Sequence, residues 1–409
     1  MTCPTPLPRM PSFRGVALRA RLTVVASAGA MISRVGTERL IAAIRPSVEA
    51  GVAPGAVVGL RRRGETTVDA LGTTVPDGDD PLLVDAQVRI SSNTKPMVAA
   101  LALLLGQDGV LGLDDPVERF LPELADRRVL RRLNGPLDET EPARRPMTVE
   151  DLLTMRMGFG WVFESECPAV DRATELELGF GPPDPPALPP PDEWIARFAR
   201  LPLLEQPGSV WRYELAFAVL GVLVARAAGR PLDVTLTERL FTPLGMTDTA
   251  FVADPERLAP AFVRRQNGLV PFDGVASSRW ASSPRFPDGR GGLVSTARDL
   301  LRFAGMLLDG GGGLLTPSSV IAMTTDRLTP EQRAGPSART FLDAGGWGYG
   351  VGVTGSSAGR RYGWGGGLGT LWYSWPEHDL AAVLITQVLP PSAEMFDAFT
   401  TAVESGLTR

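Results

Sequence analysis

Strand-like patterning is concentrated at the two ends of this 409-residue chain. Apolar alternation marks 56–60 and 66–71 as a hairpin split at Gly64, and 347–354, 362–375 and 380–387 as three further strands. Residues 37–50 and 393–405 read as helices. The expected fold is therefore α+β, with one antiparallel sheet built from the N- and C-terminal strands and helices flanking it. A mainly helical insertion separates the two groups of strands. The expected divisions are a sheet part over about 35–91 and 291–408 and a helical part over about 92–290, together one composite domain over 35–408. The proline-dense stretch 181–192 should be an irregular loop. With 161–180 it is either a lid over the cleft between the two parts or a surface excursion. No internal repeat is evident.

Several function classes are excluded at this stage. With 44% hydrophobic and 21% charged residues the chain reads as an ordinary soluble globular protein. Its net charge is −5 and no basic run is interleaved with aromatics, so no nucleic-acid partner is expected. The longest apolar stretches, 97–105 and 215–225, fall short of the roughly 20 residues of a membrane span and read as buried helices. Two cysteines, Cys3 and Cys167, and one histidine, His378, make neither a disulfide framework nor a metal site. No metal or organic cofactor is expected. Residues 1–30 are left out of the fold. Arg19 and Arg21 precede a short apolar run over 22–31, which is either a weak signal peptide or an over-extended start ahead of Met31. The expected location is the cytoplasm, or outside it if the leader is a true signal.

Of 41 basic residues, one is lysine: Lys95. Surface positions tolerate arginine for lysine, but a site that needs a neutral amine does not, because guanidinium stays protonated. Ser92 lies three residues earlier. Residues 88–90 read as the end of a strand, 91–94 as capping residues, and an apolar helix then runs to 105, with Gly106 and Gly109 where it should stop. Ser92 and Lys95 are thus neighbours on one face at a helix N-terminus. The helix dipole and burial both disfavour a cation there. Bringing a lysine from about 10.4 to near 7 takes about 4 kcal/mol, within reach of a buried site. The free N–H groups of the helix start can help to hold an oxyanion. The bland alternative is a capped helix carrying an exposed lysine.

A second serine pattern, Gly355-Ser356-Ser357-Ala358-Gly359, fits the nucleophile-elbow formula. Its flanks are wrong, since a strand rather than a helix follows. Ser357 reads as a turn residue, and His378 as a solvated residue in the turn between two strands. A Ser-His-Asp triad is not expected.

At Arg89-Ile90-Ser91-Ser92-Asn93-Thr94-Lys95-Pro96 the chain resembles the serine β-lactamase-like superfamily of class C β-lactamases, DD-peptidases and family VIII carboxylesterases. The blocks around Leu113-Asp114-Asp115-Pro116-Val117, Thr148-Val149-Glu150-Asp151-Leu152-Leu153, Pro207-Gly208 with Tyr213, Pro243-Leu244-Gly245-Met246, and Gly291-Gly292-Leu293 follow in the family's order. The resemblance spans about 35–405. It implies a serine hydrolase that needs no metal, with Ser92 as nucleophile, Lys95 as base and Tyr213 as a third catalytic group hydrogen-bonded to the amine. It further implies that Trp364-Gly365-Gly366-Gly367 matches the segment that is Lys-Thr-Gly in penicillin-recognising members and Trp-Gly-Gly in some esterases. The Gly367 N–H would then complete an oxyanion hole with that of Ser92, and Trp364, Gly365, Gly366 and Leu215 would bind substrate.

Departures from the family pattern bear on substrate. Trp364 stands where a lysine would meet a β-lactam carboxylate. Leu215 stands where a Tyr-x-Asn motif has an amide, and Met155 and Met157 replace polar residues. An uncharged ester suits such a pocket better than an anionic lactam, although Arg360 and Arg361 lie near enough in sequence to restore a cation. The expected function is a carboxylesterase acting on a small-molecule ester or amide. A β-lactamase or D-amino-acid peptidase, an acyltransferase, and a silent binding protein on this fold remain alternatives.

Overall fold

The computed structural model describes residues 36–408; the expectation for residues 1–30 lies outside them. Seven strands form the main sheet: β1 (Gly55–Arg62), β2 (Glu65–Gly72), β3 (Gly346–Trp347), β4 (Gly352–Ser356), β5 (Gly359–Gly366), β6 (Thr370–Trp375) and β7 (Leu380–Ile385). Their spatial order is β2-β1-β7-β6-β5-β4-β3, antiparallel throughout. The pairing of β1 with β7, with Val57 opposite Ile385, joins the two ends of the chain.

Every residue of β7 is buried because both faces of the sheet are covered. Leu380, Ala382 and Leu384 face a cluster with Leu40 and Ile44 of helix α1 (Thr37–Glu49). Their neighbours Ala381, Val383 and Ile385 face the main core on the other side, as the period of two requires. Helix α2 (Thr94–Gln107) and helix α3 (Ala216–Ala228) lie in the chain between β2 and β3. Helix α4 (Ala297–Leu308) lies on β1 and β7, and helix α5 (Ala393–Leu407) packs on α1. Apolar on nearly all sides, α2 and α3 pack against each other in the interior.

Two strand expectations need correction, and one hairpin was not expected. The stretch 362–375 is a hairpin, β5 and β6, turning at 367–369 with Gly369 at φ +79°. The stretch 347–354 is broken between β3 and β4. There Gly350 takes φ +77°, and a Cβ would press on Ala99 and on the Lys95 carbonyl, so only glycine lets this segment approach α2. The inserted part also holds an unforeseen hairpin, Ala261–Arg265 and Gly268–Asp273, whose first strand pairs in parallel with Val388–Leu389.

Candidate active site

The site begins where a short strand, Val88–Arg89, turns into α2. Arg89 is fully buried; its guanidinium pairs with Asp273 and donates to the Ala259 carbonyl at 2.6 Å. That anchors the chain just ahead of a one-turn 3₁₀ segment, Ser91–Asn93. Ser91 takes φ +47°, a left-handed conformation that costs a residue with a Cβ about 1–3 kcal/mol and recurs at functional sites. Asn93 Nδ2 donates to Thr370 Oγ1 at 3.0 Å, and that hydroxyl donates to the Ile90 carbonyl at 3.0 Å, tying the turn to β6. A side chain on Gly366 would strike the Ile90 carbonyl, so its absence lets the β5–β6 hairpin lie against the turn.

Ser92 is partly exposed, and Lys95 behind it is fully buried. The Lys95 ammonium donates to Ser92 Oγ at 2.9 Å and to the Arg290 carbonyl at 2.7 Å. Burial pushes this amine down to about 8; Glu214 and Asp288 oppose the shift and Arg290 adds to it. Tyr213 enters from the loop ahead of α3, its ring 4.1 Å from that of Phe341 between centroids. Burial, with the nearby Glu214 charge, raises the phenol well above its ordinary range, while Ser92 and Trp364 act in the opposite direction. Lys95 Nζ sits over the Tyr213 ring, 4.7 Å from its centroid. The amine therefore meets the ring face, where an amine–phenol hydrogen bond was expected. The phenol oxygen accepts instead from the Trp364 indole N–H at 2.8 Å.

The backbone N–H groups of Ser92 and Gly367 have no acceptor among the described residues, which leaves both free for an oxyanion. Gly365 and Gly366 lie beside them on β5. Leu215 needs correction as a substrate-binding residue: its side chain is wholly enclosed in the core, as are those of Met155 and Met157. Arg360 and Arg361 supply no cation here. The first donates to the Thr324 carbonyl and the second pairs with Glu404 of α5. Ser357 bonds Glu404 and His378 bonds the Ala358 carbonyl, each in a turn as expected.

Sequence reasoning missed how the segment beside the site is fastened. Three successive residues hold the segment 161–164. Arg212, 2% exposed, pairs with Glu164 and Glu205. The Tyr213 carbonyl accepts from the Trp161 N–H at 3.0 Å, and Glu214 Oε2 accepts from the Trp161 indole at 2.6 Å. On the other side the Arg290 guanidinium, clasped by Asp288, donates to the Gly179 carbonyl. The stretch expected to be either a lid or an excursion is thus bonded to the same segments that carry Tyr213 and the Lys95 acceptor. One signal for Glu214 was present in the sequence: a single charge abutting the apolar run of α3.

The family profile described as Beta-lactamase matches residues 40–406. Protein Rv1367c of Mycobacterium tuberculosis is 38% identical, over 85% of this chain and 89% of its own length. Esterase EstB of Burkholderia gladioli is 34% identical, over 81% and 85%. The solved structure of EstCE1, a hydrolase with promiscuous acyltransferase activity, superposes with a TM-score of 0.77 at 24% identity, covering 90% of this chain and 98% of that one. At that identity the superposition speaks for the fold. On the profile and on these relatives, the chain belongs to the β-lactamase family.

Proposed function

We propose that the protein is a serine hydrolase that forms an acyl-enzyme on Ser92 and acts as a carboxylesterase on uncharged esters. The observation that carries this reading is the buried Lys95 amine, 2.9 Å from Ser92 Oγ and depressed to about 8. Near neutral pH a useful fraction of it is unprotonated, and it can then accept the serine proton as Oγ bonds to the ester carbonyl carbon. The carbonyl oxygen becomes an oxyanion received by the N–H groups of Ser92 and Gly367. The C–O bond to the alcohol breaks, and the alcohol leaves with the proton held by Lys95, a transfer that the Tyr213 phenol beside Ser92 assists as a hydrogen-bond donor. Water then attacks the acyl-enzyme, gives its proton to the same base, and the acid departs as Ser92 is reprotonated. The 34% identity to an esterase supports the same substrate class. Trp364 supports it too, since by the motif resemblance it takes the place of a lysine that would meet an anionic substrate.

Hydrolysis of nitrophenyl butyrate by the wild type and by Ser92→Ala tests the reading. Loss of about a thousandfold or more in kcat is expected. A rate unchanged by the substitution would remove Ser92 from the mechanism. A fluorophosphonate should label folded wild-type protein at Ser92 alone.

A further inference from the structure

Glu214 lies between Tyr213 and the first turn of α3, and nothing in the proposed acyl transfer uses it. Its backbone takes φ +110°, a conformation that a residue with a Cβ rarely adopts. Such strain persists only where the surroundings over-determine it, and it gathers at functional sites. One carboxylate oxygen accepts from the Trp161 indole at 2.6 Å. The other has no partner among the described residues, the side chain is partly exposed, and no cation lies within 4.0 Å of it. Yet the carboxylate is close enough to interact electrostatically with Lys95, Tyr213 and Arg290.

The guanidinium groups around the site are each paired with carboxylate. Arg290 is clasped by Asp288, and Arg212 is held between Glu164 and Glu205. Arg361 pairs away from the site with Glu404. When Lys95 is in its unprotonated, reactive form, Glu214 is thus an anion with no paired cation, held against the Trp161 indole, whose ring packs on Phe163 and Phe180.

We propose that Glu214 is the charge-selecting residue of this cleft. Held by Trp161, it favours esters that carry an ammonium group, accepts neutral ones, and turns away those that carry a carboxylate. This rests on the acyl-serine reading and extends it to the chemical class of substrate. At an effective dielectric near 20, one unit charge about 7 Å from another changes binding by about tenfold or more after screening.

The test uses nitrophenyl esters of three acids of similar length: pentanoic acid (neutral), glutaric acid as its monoester (anionic), and 4-(trimethylammonio)butyric acid (cationic). The readout is the ratio of kcat/KM for the cationic ester to that for the anionic one, in the wild type and in Glu214→Gln. Within each protein the ratio cancels any effect on the Lys95 base. Glutamine still offers an oxygen to Trp161, so a purely structural clamp predicts an unchanged ratio. Charge selection predicts a wild-type ratio of about a hundred, falling at least tenfold in the variant. The wild type is an arm of its own. Its ratio should shrink as NaCl rises from about 20 mM to about 0.5 M. A ratio near one at low salt, or one that Glu214→Gln leaves unchanged, overturns the assignment while Ser92-dependent turnover upholds the hydrolase. Ester turnover that survives Ser92→Ala overturns both.

Discussion

The indole N–H of Trp364 donates to the phenol oxygen of Tyr213 at 2.8 Å. From its place in the chain Trp364 reads as an apolar replacement for a lysine, but its polar edge is turned onto a group proposed to move protons. Its ring is braced edge-on by Trp347, with centroids 4.7 Å apart, so the donor is held in position. A tryptophan here removes the cation that would attract an anionic substrate and still stabilises charge on the phenol.

Trp364→Phe should test that role. The ring volume is nearly kept and the donor is lost, leaving the buried phenol oxygen with one partner fewer. A fall in kcat of about tenfold is expected, with little change in KM for nitrophenyl butyrate. A variant with wild-type kcat would show that the bond does not assist the reaction.

The Lys95 amine, pushed down to about 8, sets the pH dependence. A base works in its unprotonated form, so kcat/KM should rise about tenfold per pH unit below that value and level off above it. Lys95→Arg should be inactive across the whole range, because guanidinium does not release its proton. Stopped assays at constant ionic strength from pH 6 to about pH 9.5 would show the limb.

The same shift makes a stability statement. The folded-state pKa lies below the unfolded one, near 10.4. Between about 8 and that value the unfolded chain binds more protons, so stability rises with pH through this window. Below it the buried ammonium costs the native state about 3 kcal/mol. Lys95→Met removes this dependence. Its stability relative to wild type should therefore be greatest at pH 7 and decline by about that amount as pH approaches 10. Urea denaturation of both proteins across the window would give the difference directly.

Arg212 is nearly inaccessible between Glu164 and Glu205. Arg212→Met would leave two carboxylates facing each other without a counter-ion, and burial already raises the Glu205 carboxyl. A loss of about 3 kcal/mol is expected. Faster amide exchange should be confined mainly to 158–166, the segment this arginine holds. Uniform exchange across the molecule would mean that the clamp is not local.

Gly366→Ala probes how closely the hairpin approaches the turn that carries Ser92. The added methyl would meet the Ile90 carbonyl and Thr370 Oγ1, neither of which can withdraw cheaply. Displacing β5 by a fraction of an ångström should cost about a hundredfold in kcat with most of the stability retained. Activity assays beside thermal melts would separate the two.

Much of the fold was legible in the residues alone, because burial writes itself into periodicity. Alternation revealed the hairpin of β1 and β2, and the continuous apolar runs of α2 and α3 announced helices without a solvent face. Alternation failed at 362–375, where the pattern continues on both sides of a glycine turn and a hairpin looks like one long strand. It failed again at 261–273, whose short strands carry Arg264 and Arg265 and lack a clean repeat.

The site divides along the same line. Ser92 and Lys95 are three residues apart at a helix start, so local geometry brings them together and the lone lysine draws attention to them. Trp364 meets Tyr213 across 151 residues, Glu214 meets Trp161 across 53, and the Lys95 amine finds the Arg290 carbonyl across 195. No pattern of spacing encodes such contacts, because each depends on how the sheet and the inserted helices are set against each other. For the same reason Leu215 could be assigned to the cleft by its place two residues after the tyrosine, where a Tyr-x-Asn motif has its amide, while packing turned it wholly into the core. Chain order dictates which groups can share a helix turn. Only the close-packed interior decides which way a side chain faces, and with it whether the chain meets a substrate as an anion, a cation or a neutral wall.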